Sequence, residues 1–226
     1  MSSPKKYPLS GVQRGFIEAS GMKATKNTVP ATYLIEGSFS TTRILEALES
    51  VVRRHDALRT VFGIEGRKAF QQALEVLPSV ARAIRVQDLR GDRGADSTVV
   101  AQAIKQYLAL PFALDKAPVW RGFLLQVGDR RWVLGLTFAH VIIDGTSVGV
   151  IAGDLAAALG GAERVAPLQV GEIAAAERAI RPTAEQQRFW TAEYGLRRAL
   201  PATWSGDDAT FHVVPIPEFK PALVAA

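Results

Sequence analysis

Arg131-Trp-Val-Leu-Gly-Leu-Thr-Phe-Ala-His-Val-Ile-Ile-Asp-Gly145 is the stretch on which the reading of this chain turns. Its first eight residues form an apolar run of strand length, too short for a membrane span and best read as a buried strand. Val119 to Val127 has the same character, and Gly128-Asp129 between the two is a tight hairpin signal. The second strand runs into His140, Asp144 and Gly145, and a helix then starts at Thr146 or Ser147. Val148, Ile151, Ala152, Leu155 and Leu159 form its inward stripe, and Gly160-Gly161 ends it. Junctions of strand ends and helix starts are where mixed α/β folds usually place their chemistry.

Working outward, Ser10 and Gln13 have capping-box spacing, so a helix is predicted to Ser20 and to close at Gly21. Tyr33 to Glu36 reads as a short strand. From Thr42 a helix carries Ile44, Leu45, Leu48, Val51 and Val52 on one face. Val61–Ile64 and Ala69–Ala73 read as strands joined around Gly66, and Val80–Val86 as a weaker strand. After a loop over Asp88–Asp96, a helix capped by Asp96 or Ser97 presents Val99, Val100, Ala103, Ile104, Tyr107 and Leu108, and stops at Pro111. Thr183 and Gln186 make a second capping box, opening a helix through Phe189, Trp190 and Tyr194. Beyond Pro201, Pro215 and Pro217 favour an extended segment. Helices and strands are mixed throughout, with no repeat and no convincing linker, which implies an α/β fold: a mixed β-sheet with packed helices.

The 226 residues, 48% hydrophobic and 22% charged, suit a globular chain with a real core and exclude disorder as the default. With no cysteine there are no disulfides and no thiolate metal sites, and a reducing compartment fits. Lys5 and Lys6 near the N-terminus are followed by no apolar leader segment, and the apolar runs are too short for a bilayer. The expectation is therefore a cytoplasmic protein with no membrane partner. The net charge of +5 is compatible with nucleic acid, an acidic protein or a phosphate-bearing ligand. The cations, however, are scattered in pairs (Arg53–Arg54, Arg130–Arg131, Arg197–Arg198) and are not interleaved with aromatics. That pattern reads as a solvated surface, with no nucleic-acid partner.

A free imidazole titrates at about 6.5 and can take a proton near neutral pH, which makes His140 a candidate base. Asp144 is suited to orient that ring or to hold an arginine elsewhere, and Gly145 lets the backbone turn or approach a ligand closely. The plain alternative is a hydrogen-bonded core histidine. A serine triad of Ser147, His140 and Asp144 lacks a nucleophile-elbow pattern and crowds into one turn. A metal pair from His140 and Asp144 lacks a third ligand, since His55 and His212 stand in unrelated contexts, so no metal site is expected. Gly-rich phosphate loops of either kind are absent.

His140-Val-Ile-Ile-Asp-Gly145 resembles the H-H-x-x-x-D-G signature of nonribosomal peptide synthetase condensation domains, within the chloramphenicol acetyltransferase-like superfamily. Arg54-His-Asp-Ala-Leu-Arg-Thr-Val-Phe62 is similar to that family's R-H-E-x-L-R-T-x-F, with Asp56 for the glutamate. Tyr7-Pro-Leu-Ser-Gly-Val-Gln13 resembles its opening Y-P-L-S-x-x-Q. Pro111-Phe-Ala-Leu-Asp115 with Pro118-Val-Trp-Arg121 looks like P-F-D-L…P-L-x-R, and Gln187-Arg-Phe-Trp190 stands where the family has its Y-W helix. Four further matches in order make the likeness specific over about the first 200 residues. Ala139 replaces the first histidine of the pair, whereas His140 keeps the place of the second, to which the family's catalysis is assigned.

The resemblance implies a chloramphenicol acetyltransferase-like N-terminal lobe over 1–200, with 201–226 an extended segment leading towards a missing second lobe. It implies acyl or aminoacyl transfer from a pantetheine thioester to an amine or hydroxyl, with His140 as general base. In that reading Asp144 is structural, in a buried ion pair with Arg59, and the Gly145 N–H helps hold the carbonyl oxygen. His55 is structural support. No cofactor is bound; the phosphopantetheine arm, or coenzyme A, is a substrate. Carrier proteins and a second lobe, in the same chain or a partner subunit, are the implied partners. Trp120, Trp132 and Trp190 are expected in the core or the lobe interface rather than on substrate. Two alternatives stand beside this: a non-catalytic module that docks carrier proteins or a synthetase, and a coenzyme A-dependent O-acyltransferase.

Overall fold

Strand β7 (Arg131–Ala139) is buried along nearly its whole length because it lies second in a four-stranded sheet of order β2-β7-β6-β5. The structure is a computed structural model that describes residues 5–22, 27–75, 79–90, 105–162 and 164–196. β2 (Thr28–Glu36) pairs antiparallel with β7 on one side, from Thr28 opposite Ala139 to Glu36 opposite Arg131. β6 (Trp120–Gly128) pairs antiparallel on the other, and β5 (Ile84–Asp88) runs parallel to β6. Trp132, Leu134, Leu136 and Phe138 alternate along β7 onto one face, as the two-residue period of a strand requires. They join the apolar stripes of α2 (Thr41–Arg54) and of the helix after the site, α4 (Gly145–Gly160), in one core. Trp120 and Trp132 belong to this core, at 2% and 1% exposure.

β2 begins earlier than the four residues expected from the sequence. Pro30 reads as a breaker, but β2 is an edge strand, where a proline costs no ladder bond on its free side. Opposite Gly135 of β7 stands Phe123, whose ring fills the space that a Cβ on the glycine would take. The strand predicted over Val80–Val86 divides into a short helix α3 (Val80–Ala83) and β5. Val80, Ala83 and Ile84 all point inward, and that three-and-four spacing belongs to a helical turn rather than a strand.

A second, three-stranded antiparallel sheet has the order β1-β4-β3, from Lys6–Pro8, Lys68–Ala73 and Thr60–Glu65. Gly66, at φ +60°, makes the tight β3–β4 turn. α1 (Gly11–Ser20) starts with the expected capping box: the Ser10 hydroxyl accepts from the Gln13 N–H, and the Gln13 side chain accepts from the Ser10 N–H. α5 (Val170–Ala179) lies against β1, where the ring of Tyr7 closes on Gly171.

The chain divides into two compact units, Met1–Ile180 and Arg181–Ala226. In the second, α6 (Ala184–Leu196) opens with the predicted Thr183–Gln186 box, and Phe189 meets Trp190 edge-on at 5.2 Å. The segment 201–226 lies outside the described residues. So does most of the helix expected after Asp96, although its last turn, 105–108, is helical. Among the described residues, no helix is long and apolar enough to cross a membrane.

Candidate active site

His140 stands where β7 ends, as the first residue of a single 3-10 turn (His140–Ile142). Its backbone is fixed on both sides: its N–H donates to the Asn27 carbonyl at 3.0 Å, and the Ala139 N–H before it donates to Val119 at 2.9 Å. Val141, Ile142 and Ile143 are buried beneath the turn, whereas His140 is half-buried. One face of the imidazole stacks on Phe16 of α1, with ring centroids 4.7 Å apart and planes 30° from parallel. Nδ1 is buried and, among the described residues, has no hydrogen-bond partner. The ring is thus neither solvated all round nor sealed in the core.

Asp144 is the N-cap of α4. Its carboxylate accepts from the Ser147 N–H at 2.8 Å and from the Ser147 hydroxyl at 2.6 Å. Those two bonds, the hydroxyl's first, hold the Asp144 carboxyl below its ordinary range, and the neighbouring His140 adds a small electrostatic pull in the same direction. Gly145 follows as the first helical residue, and the space a Cβ would enter beside it is open. The first amides of a helix lack intrahelical acceptors, so this end of α4 offers donors beside the imidazole.

The expected Asp144–Arg59 ion pair does not form. Asp144 is exposed and occupied by Ser147, while Arg59 bonds the carboxylate of Asp56 three residues earlier and donates to the Leu74 carbonyl at 2.6 Å. The physical reason is local competition: each group finds a partner within its own turn before it can reach across the fold. Asp144→Ala should therefore cost about 1 kcal/mol as a lost cap, whereas Asp144→Asn, also a good cap, should cost only tenths. Because its folded pKa is depressed, the Asp144 contribution is present above the unfolded value of about 3.9 and fades as pH falls through the lower folded one. Urea melts of the two variants check this, and equal losses for Asn and Ala would contradict the capping role.

The buried ion cluster lies ten residues further on. Asp154, its side chain only 4% exposed, meets Arg54 Nε at 3.1 Å, His55 Nε2 at 2.5 Å and Arg164 Nη1 at 2.7 Å. The Arg54-His55 pair of the sequence motif thus anchors α4 at its third turn. Above it, the Tyr33 hydroxyl donates to the Val148 carbonyl at 3.0 Å, and burial pushes that phenol up to about 12. Below it, Arg43 donates to the carbonyls of Ala158 and Leu159, and Gly161 closes the helix in the left-handed conformation. Sequence reasoning missed Asp154, although an acid inside the apolar stripe between Ile151 and Leu155 was the available signal. In this cluster the His55 ring, 16% exposed, is held against the Asp154 carboxylate of α4.

An open groove of about 780 Å³ near β1 and β4, lined in part by Tyr7, Arg14 and Phe70, does not include His140. Arg14 faces that groove while Phe16, two residues on, faces the imidazole, so α1 separates the two places. Among the described residues, no group of three or more His, Cys, Asp or Glu is placed to hold a metal ion.

A family model described as the condensation domain matches residues 3–199. Surfactin synthase subunit 2 of Bacillus subtilis (strain 168) is 34% identical over 164 residues, which make up 71% of this chain and 4% of that protein. In structure, the chain is similar to SgcC5 from Streptomyces globisporus, with a TM-score of 0.70 and 23% identity over 85% of this chain and 47% of that one. The first condensation domain of the CDA synthetase gives a TM-score of 0.70 at 20% identity, over 86% of this chain and 52% of that one. These likenesses show the chloramphenicol acetyltransferase-like fold expected from the sequence. The chain spans about half the length of these solved neighbours and a few per cent of the synthetase.

Proposed function

The chain belongs to the condensation-domain family, and from that premise we propose that it supplies the N-terminal lobe, with the base, of an acyltransferase. The substrate is an acyl or aminoacyl group on a pantetheine thioester, and the acceptor is an amine or hydroxyl. The acceptor nucleophile attacks the thioester carbonyl carbon, the new C–N or C–O bond forms, the C–S bond breaks, and the thiol leaves. His140 takes the proton from the acceptor and returns it to the departing sulfur. The Gly145 N–H, at the start of α4, faces the carbonyl oxygen as charge develops there.

The observation that carries this reading is the placement of His140: a half-buried imidazole at the end of an interior strand, in the turn that leads into α4. A structural histidine would have both nitrogens partnered in the core, whereas Nδ1 here has none. A carrier protein delivers each pantetheine arm, and a second lobe, in a longer chain or a partner subunit, completes the cleft. Similarity to chains twice this length supports that part of the proposal. A cytoplasmic setting goes with it.

The docking-module reading draws on one observation, the replacement of the family's first histidine by wholly buried Ala139. The two readings separate when the chain, supplied with a second lobe, meets an acyl-pantetheine thioester and an amine. The enzyme yields amide and an equal amount of free thiol by mass spectrometry. Carrier binding without thiol release points to the docking module.

A further inference from the structure

We propose that Phe16 is a positioning residue that sets the plane of the His140 imidazole through stacking, in place of the hydrogen bond that usually orients a catalytic histidine. This rests on reading His140 as the base. A general base is ordinarily held by a partner on its second ring nitrogen, often a carboxylate or a backbone carbonyl. Among the described residues, His140 has no such partner at Nδ1. Asp144, the nearest acid in the motif, has its carboxylate on Ser147, and no hydrogen bond joins it to the imidazole. The bonds of Asn27 and Val119 fix the His140 backbone and leave the side-chain torsions free. Against one face of the ring lies Phe16, at a centroid separation and tilt typical of offset aromatic pairs.

Phe16 can restrain another ring only if it is itself held, and α1 is anchored on the same face one turn earlier. Gln13 and Gln71, 5% and 1% exposed, exchange side-chain amide bonds of 3.0 and 2.9 Å, and Gln71 also donates to the Pro8 carbonyl at 2.9 Å. The Gly11 N–H donates to Glu177 at 2.9 Å. Gln13 and Phe16 are three residues apart, so the amide pair and the stacking ring share one helical face. The Y-P-L-S-x-x-Q segment thus connects, through one turn of α1, to the His140 ring.

The test uses the full chain with its three histidines labelled on the ring, the His140 signals being identified by their loss in His140→Gln. In the parent, the His140 ring protons should lie upfield of free histidine because of the Phe16 ring current. Phe16→Leu, close in volume, should return them towards the free position, and Phe16→Tyr should keep them upfield. Should Phe16→Leu fail to fold, Phe16→Met serves the same purpose. In the two-lobe protein, Phe16→Leu should lower kcat about tenfold with KM little changed, since small misplacement of a reacting group is costly in rate, and Phe16→Tyr should restore it. Unmoved ring signals, or moved signals with an unchanged kcat, overturn the proposal. Transfer that survives His140→Ala instead defeats the base assignment, and it leaves the stacking result standing as a separate measurement.

Discussion

A His140→Ala variant of the completed two-lobe protein should lose about 10²- to 10⁴-fold in acyl-transfer rate, the span a positioned general base contributes. That loss corresponds to about 2.7–5.4 kcal/mol of transition-state stabilisation. Stability should change little. The imidazole is half-buried and makes no hydrogen bond at Nδ1, and the backbone bonds to Asn27 and within the 3-10 turn remain when the side chain is truncated. The rate that remains would be what positioning of the two substrates supplies. Single-turnover transfer followed by mass spectrometry, beside a thermal melt, reads both quantities. A fall in kcat at constant KM marks a group acting in the transition state, whereas a rise in KM alone would make the ring a substrate contact. A rate near the parent's would remove the base assignment.

What could be read in advance depended on how local the physics was. The β6–β7 hairpin, the α2 stripe, both capping boxes and the Gly161 stop rest on periodicity and on bonds between residues three or four apart, and all of them form. The full length of β2 was hidden because Pro30 is harmless only on an edge, and edge position belongs to the sheet as a whole. The same limit applied to charge. Asp144 and Arg59 are both conspicuous in their motifs, yet each is satisfied within its own turn, by Ser147 and by Asp56. Asp154 belongs to no motif in the sequence and gathers Arg54 and His55, from about a hundred residues away, together with Arg164. Phe16 had no visible signal, since its contact with His140 crosses 124 residues of chain (140 − 16). The place of His140 at a strand end was legible; what packs around it was not.

Asp154→Asn should therefore be the variant that unfolds the lobe most readily, at a cost of about 3 kcal/mol. Removing one side of a buried ion pair costs roughly 3–5 kcal/mol, and the lower end applies because Arg54 and Arg164 retain 24% and 45% of their side-chain exposure. For a chain of this size that is about 6–12 °C in melting temperature. Burial alone would raise the Asp154 carboxyl, but the hydrogen bond from His55, with the charges of His55, Arg164 and Arg54, outweighs it and holds the group below its ordinary range. A depressed folded pKa gives stability that is present above the unfolded value of about 3.9 and is lost as pH falls through the folded one. The difference between parent and Asp154→Asn should consequently be full at pH 7 and should shrink as pH falls below about 4. Urea midpoints at several pH values measure it. Because α4 carries Gly145 at its other end, the variant should also transfer more slowly than its folded fraction accounts for. Equal midpoints for parent and variant at pH 7 would mean that Arg54, His55 and Arg164 do not hold α4 through this carboxylate.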